Sequence, residues 1–316
     1  MKNEFRYIKL DKVKSYSIKE RKSKVITEDF GKVFARHGSF SEFMEGLPDI
    51  LAAKDLKEVV SRITAAYKNQ SIIVFALGAH VIKVGLNPVI IDLMEKGIIS
   101  SIALNGAGVI HDSEIAMTGK TSEDVSNGLR EGSFGMADET ATVINGAISQ
   151  GAEKGWGIGE SVGKKLMELD LPYNNLSILA SGIRLRVPIT VHVAIGTDII
   201  HMHPSCNGAA IGKGSHLDFR LFSSIISSIE KGIYLNIGSS VILPEVFLKA
   251  LTLVRNLGFN VKDFTTVNMD FIQHYRPLTN VVKRPTLGVG MGYSLIGHHE
   301  IMVPLLAAAV LEKIDL

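Results

Sequence analysis

SIIVFALGAHVIKVGLNPVIIDLMEKGIISSIALNGAGVIHD, residues 71–112, holds two short apolar runs separated by a segment of helical length. Ile72 to Leu77 reads as a buried strand bounded by Gly78, and Gly78-Ala79-His80 as a small-residue loop. Asn87 is a plausible cap for a helix with Pro88 in its first turn and Gly97 as its stop. Ile98 to Leu104 reads as a second buried strand, which runs into Asn105-Gly106-Ala107-Gly108 and then His111-Asp112. Strand, helix and strand in this span form one βαβ unit, whose crossover makes the two strands parallel. Such sheets bind ligands beyond the carboxyl ends of their strands, and that is where this stretch carries its glycines and polar side chains.

The same pattern extends in both directions. Upstream, Phe30 to Leu51 and Leu56 to Tyr67 read as helices. Downstream, Ser113 to Met117 begins a helix, 119–122 is a surface loop, 123–137 is an insertion with a turn or small helix, and Asp138 to Gln150 is an amphipathic helix. The glycines of 156–163 follow a helix rather than a strand, so they read as a helix-start loop and not as a dinucleotide fingerprint. Ser177 to Ala180 and Ile189 to Ile195 read as strands, the second ending in Gly196-Thr197-Asp198. A helix at 218–230 leads to strand Ile233 to Ile237, which ends in Gly238-Ser239-Ser240. Helix Pro244 to Leu257 and strand Phe264 to Asn268 follow, the strand running into Asp270. His298-His299-Glu300 precedes a last apolar helix, Ile301 to Glu312. The expectation is a basic arm, residues 1–29, and one α/β domain, residues 30–316, built on a Rossmann-like, doubly wound, mostly parallel sheet.

Composition narrows the class. The 316 residues can bury a large core, and a formal net charge of only +2 does not point to nucleic acid. One cysteine, Cys206, rules out an internal disulfide framework and fits a reducing cytoplasm. No apolar run reaches membrane-spanning length, and the first residues lack the order of a secretory signal. A cytoplasmic protein with no membrane partner is expected. The lysines of the arm (Lys2, Lys9, Lys12, Lys14, Lys19, Lys22, Lys24) read as a solvated segment that packs on the body or on a neighbouring subunit, with a contact to an anionic partner as the alternative.

Five strand ends place a glycine or small residue beside a polar group: Gly78 with His80, Asn105 to Gly108 with His111 and Asp112, Gly196 with Asp198, Gly238 with Ser239, and Asn268 with Asp270. Glycine there admits a close backbone approach and leaves N–H groups at helix starts, which suits a diphosphate, while a nearby acid suits ribose hydroxyls. His201, His203 and Asp198 offer a different chemistry, a metal site for hydrolysis. Cys206 has no partnered base in the sequence and reads as a small buried residue.

These residues resemble deoxyhypusine synthase. FALGAH and SSIALNGAGVIHD are similar to that family's first two strand ends, and VPITVHVAIGTDIIHMH to its strand with an aspartate followed five residues later by a histidine, here Asp198 and His203. NIGSSVILPEVFLKALTLVRN and GHHEIMVPLLAAAVLE resemble its glycine-rich turn with the following helix and its closing segment. The resemblance covers roughly residues 30–312 and implies a Rossmann-like NAD-binding fold, with homotetramers whose sites lie between paired subunits. It implies NAD contacts from Gly78, His80, Asn105, Gly106, Ala107, His111, Asp112, Gly238, Ser239 and Asp270, and a substrate-amine contact from Asp198. The sequence departs from that family at the catalytic lysine. Arg284-Pro285 is followed by TLGVGMGYSL, with no Trp-Gly-Lys, and Glu245-Val246-Phe247 stands where the family has a histidine pair. A lysine imine cannot be drawn on these residues. The expected function is therefore a deoxyhypusine synthase-like, NAD-dependent enzyme on a small polar substrate, with Glu245, His203 and His299 as acid/base candidates. The alternatives are a metal-dependent hydrolase and a non-catalytic nucleotide-binding protein.

Overall fold

The computed structural model describes residues 5–314, so Lys2 of the arm lies outside the described residues. Helices α1 (Phe40–Gly46) and α2 (Leu51–Lys68) lead into β1 (Ile73–Leu77), followed by α3 (Ala79–Lys83), α4 (Asn87–Glu95) and β2 (Ser101–Asn105). Between β2 and β3 (Ile189–His192) come α5 (Gly106–Thr118), α6 (Val125–Glu131), α7 (Asp138–Lys154), α8 (Ile158–Leu169) and α9 (Ile178–Leu185). Then α10 (Gly208–Ser227) leads to β4 (Ile233–Ile237), and α11 (Ile242–Asn256) to β5 (Thr265–Asp270). The short α12 (Tyr275–Pro277) and a π-helical turn, Leu278–Lys283, precede β6 (Met291–Ile296), and α13 (His299–Lys313) follows it.

All strand pairs are parallel, in the order β3-β2-β1-β4-β5-β6. The chain winds outward from β1 to β3, crosses back to β4 beside β1, and winds outward again to β6. That reversal makes the gap between β1 and β4 the topological switch point, where open sheets of this order bind ligands. Both faces of the sheet are covered. Ile73, Phe75 and Leu77 pack with α2, α4 and α13, whereas Val74 and Ala76 face Phe222, Tyr234, Phe247 and Phe264. The Tyr234 and Phe247 rings stack with centroids 3.8 Å apart, joining β4 to α11. Burial on both faces is why these strands read as unbroken apolar runs rather than alternating ones.

The structure corrects several expected boundaries. Residues 30–39 are not helical; α1 begins at Phe40, where Ser39 and Glu42 form a reciprocal capping box. Ser177 to Ala180 is not a strand but the start of α9, with the Ser177 hydroxyl accepting the Ala180 N–H. Helix α10 starts at Gly208, ten residues before 218, capped by Asn207. Helix α5 starts at Gly106, so the NGAG motif is its first turn rather than a loop ahead of it.

Candidate functional site

Helix α5 leaves β2 at once because Asn105 caps it, its side-chain oxygen accepting the Gly108 N–H at 3.0 Å. The first helical residue must be small. A Cβ on Gly106 would stand 2.0 Å from Oδ2 of Asp198, on the loop beyond β3. Asp198 is thereby held against the helix start, 8% exposed, and its Oδ2 has no hydrogen-bond partner. Burial pushes its pKa up to about 6. His201 Nε2 is 3.9 Å from that oxygen and is also unpartnered. His201 Nδ1 accepts the N–H groups of Gly196 and Asp198, which puts the proton of a neutral ring on Nε2, toward the carboxylate. Burial lowers the His201 pKa and favours that neutral form.

Beside this pair lies a cavity of about 220 Å³, lined among others by Lys83, Ala107, His111, Glu114, Glu123 and Asp198. Its size suits a small molecule rather than a whole dinucleotide. His111 Nδ1 is 2.7 Å from the Thr121 hydroxyl, which donates to Glu114 Oε2. The hydroxyl proton goes to Glu114, so the oxygen accepts from His111 Nδ1–H and leaves the Nε2 lone pair as acceptor. Burial lowers the His111 pKa, with Glu114 opposing it. Thr121 and Glu114 are site residues that the sequence reading did not select. The only cue was the i, i+3 spacing of His111 and Glu114 on one helix face.

A second group stands at the tips of β1, β4 and β5. Gly78 packs so closely that a Cβ there would lie 2.2 Å from the Gly238 carbonyl oxygen, and its N–H donates to Ile237. Gly238 has φ 74°, and a Cβ there would meet the His299 ring at 2.7 Å. His299, in the first turn of α13, is 1% exposed with both ring nitrogens unpartnered. Its Nε2 lies 3.7 Å from Asp270 Oδ1, and its ring centroid is 5.7 Å from His80 and 5.8 Å from Phe271. Burial lowers its pKa, and Asp270 pulls the other way. Ser239 caps α11, its hydroxyl accepting the Leu243 N–H.

The structure therefore gathers His80, Gly78, Gly238, Asp270 and His299 in one group, with Ser239 next to Gly238, and Asn105, Gly106, Ala107, His111 and Asp198 in the other. It removes three expected residues from both. Asp112 is fully buried, accepting from Asn87, Ser177 and the N–H groups of Ile178 and Leu179. Its oxygens tie α5 to the start of α9 and have none to spare for a coenzyme. Burial raises its pKa to about 6, with those donors opposing the shift. Glu245 sits on the outer side of α11, hydrogen-bonded to Lys249 and to Asn280 and 3.5 Å from Arg276. Its pKa is lowered chiefly by Lys249, and it acts as a carboxylate at a helix start. His203 meets Asp138 at the start of α7 and Ser205. With His203 turned away, Asp198 and His201 are left as a pair, and among the described residues no three His, Cys, Asp or Glu side chains are grouped to hold a metal ion. The loop 156–163 is indeed a helix start: Gly157 makes room for Asp218, which accepts from the N–H groups of Gly159 and Val191, and Gly159 packs against the Ile189 carbonyl. Burial pushes Asp218 up to about 7.

Six parallel strands in this order, with ionisable side chains at the carboxyl ends beside the switch point, define a Rossmann-type α/β fold. Several solved structures are similar to it in fold. One is a "putative deoxyhypusine synthase" from Entamoeba histolytica, 10% identical, with 88% of this chain and 95% of that chain covered at a TM-score of 0.53. Another is a "conserved putative LOR/SDH protein" from Methanococcus maripaludis S2, 15% identical, covering 84% of this chain and 71% of that one at 0.50. A third is AgrE in a ternary complex with ornithine and NAD+, 14% identical at 0.53; the match takes in 83% of this chain but spans only 34% of AgrE. At these identities the likeness is one of fold. The deoxyhypusine synthase resemblance read from the sequence is thus present in the architecture, along nearly the whole length of that neighbour. No protein-family model and no curated protein sequence matches the chain. Among the described residues no helix is long and apolar enough to cross a membrane.

Proposed function

We propose that this chain is an NAD-dependent enzyme that acts on a small, polar, amine-bearing substrate. The observation that carries this reading is the buried, unpartnered Asp198–His201 pair beside a cavity of substrate size. Unpaired buried polar atoms are expensive to keep, and they persist where a ligand satisfies them. Asp198 accepts from the substrate ammonium, and His201, fixed by its Nδ1 contacts, donates to a neighbouring polar atom. His111 takes up a proton at Nε2, with Thr121 and Glu114 holding its ring. Lys83 and the start of α5 leave room for an anionic substituent.

We assign the coenzyme to the second group, where the buried His299 ring has no hydrogen-bond partner for either nitrogen and Asp270 and His80 flank it at the switch point. NAD+, when bound, supplies a hydride acceptor. Two of its neighbours in fold support this assignment, since one was solved with NAD+ and ornithine and another shares the deoxyhypusine synthase architecture. Full-length protein is incubated with NAD+ and a panel of primary amines and amino acids while formation of reduced nicotinamide is followed. Turnover with at least one amine, lost in Asp198→Asn, is expected; no turnover with any of them contradicts the reading.

A further inference from the structure

Residues 5–28 are exposed without exception. Their backbone hydrogen bonds are confined to local turns (Val13 to Leu10, Glu20 to Ser17, Arg21 to Ile18), and the first bond to the body is Asp49 N–H to Asp29 O. A solvated polar arm would look like that, but this arm is not polar. Phe5, Tyr7, Ile8, Leu10, Val13 and Tyr16 are all at least two-thirds exposed, and large apolar side chains continue exposed as far as Phe34. Monomers do not display apolar surface on this scale without a partner for it.

Area and charge identify the partner. A compact monomer of 34.3 kDa exposes roughly 13,000 Å² by the scaling of folded surface with mass. This chain exposes 17413 Å². The excess of roughly 4,500 Å² is more than one partner contributes even to an obligate interface, roughly 1,000–2,500 Å². The arm is also charged against its own body. Residues 1–36 carry eleven Lys and Arg against five Asp and Glu, and the other 280 residues carry 23 against 27. A net +6 segment belongs to a net −4 body, so a second copy of the chain presents both the apolar and the electrostatic complement. Residues 5–28 can extend to roughly 80 Å, against a radius of gyration near 20 Å for a body of this size, so the arm can cross to a second copy.

We propose that residues 5–28 form an exchange arm that lies across the body of a second copy of this chain, and that this embrace holds the assembly together. The test mixes unlabelled and ¹⁵N-labelled full-length protein after dissociation and reassociation, then cross-links arm lysines to carboxylates. Peptides joining Lys9, Lys14 or Lys22 to the body should carry mixed labels. Cross-links within one label only would mean that the arm folds back on its own chain and would overturn the proposal. The mass in solution should be at least twice 34.3 kDa. Combining Tyr7→Ser, Ile8→Ser, Val13→Ser and Ile18→Ser should raise the dissociation constant on the order of a hundredfold or more. These side chains are at least two-thirds exposed, so the variant should keep the circular dichroism of the parent. A monomeric parent, or a parent that stays monomeric while its arm binds anionic vesicles or nucleic acid, would overturn the proposal, as would a variant that assembles as tightly as the parent.

Discussion

The tips of β2 and β3 and the tips of β4 and β5 are made the same way and come out opposite in character. In each, a glycine gives up its side chain so that an ionisable group from a segment distant in sequence can be seated against the backbone. At Gly106 the seated group is the Asp198 carboxylate, and at Gly238 it is the His299 imidazole. The first half holds a buried carboxylate and opens on a small cavity, while the second becomes a cluster of aromatic and imidazole rings around one buried histidine. The glycines were expected to admit a ligand backbone-close. Instead they draw the tips together, and the ligand-facing atoms are the ones those tips deliver.

The sharpest way to break that comparison is inside the second half, where the tips of β1 and β4 meet at Gly78. Gly78→Ala drives a Cβ into the Gly238 carbonyl, backbone that cannot rotate away. Its expected effect is a loss of about 3 kcal/mol, read from urea unfolding. A change well under 1 kcal/mol would mean that the two tips are not held in contact.

Asp198→Asn sharpens the acidic half. A carboxyl whose folded pKa is raised to about 6 above an ordinary value of 3.8 binds more protons folded than unfolded. It costs nothing below about pH 4, stability falls as pH rises from there to 6, and the full cost of about 3 kcal/mol is present at pH 8. The variant should therefore be more stable than the parent at pH 8 by up to that amount and equal to it at pH 4, in parallel unfolding titrations. Amine affinity of the parent should rise as pH passes through about 6, and in the variant it should be on the order of tenfold to a hundredfold weaker without that pH step.

His299→Gln tests the other half. It keeps a polar side chain but loses the ring packed between His80 and Phe271, so coenzyme affinity should fall about tenfold with amine affinity unchanged. An equal loss in both would show that the halves are not separate. The smallest effect belongs to Glu245→Gln. Its carboxylate is paired with Lys249 and Arg276 outside both groups, so stability should drop by less than about 1 kcal/mol and turnover should stay within about twofold.

The fold was legible because strands buried on both faces leave apolar runs, and each run here stops at a glycine or a polar cluster. The site was legible only by halves. Gly106 and Asp198 were each singled out, yet nothing in a sequence says that residues 92 apart meet. Asp112 reads as a ligand residue from its place in GVIHD, but its turn of α5 faces inward, where the start of α9 needs a carboxylate. Ser177-Ile178-Leu179-Ala180 looks like strand because a buried helix start is as apolar as a buried strand. By contrast, the Ser39–Glu42 capping box was present to be read and fixes the start of α1.

The most direct measurement is a calorimetric titration of NAD+ into the parent, Asp198→Asn and His299→Gln proteins under one set of conditions. The expected result is saturable binding, one coenzyme per chain, kept in Asp198→Asn and weakened about tenfold in His299→Gln. No binding by the parent at millimolar coenzyme, or a loss caused by Asp198→Asn and not by His299→Gln, would contradict the division of the two halves into substrate and coenzyme sides.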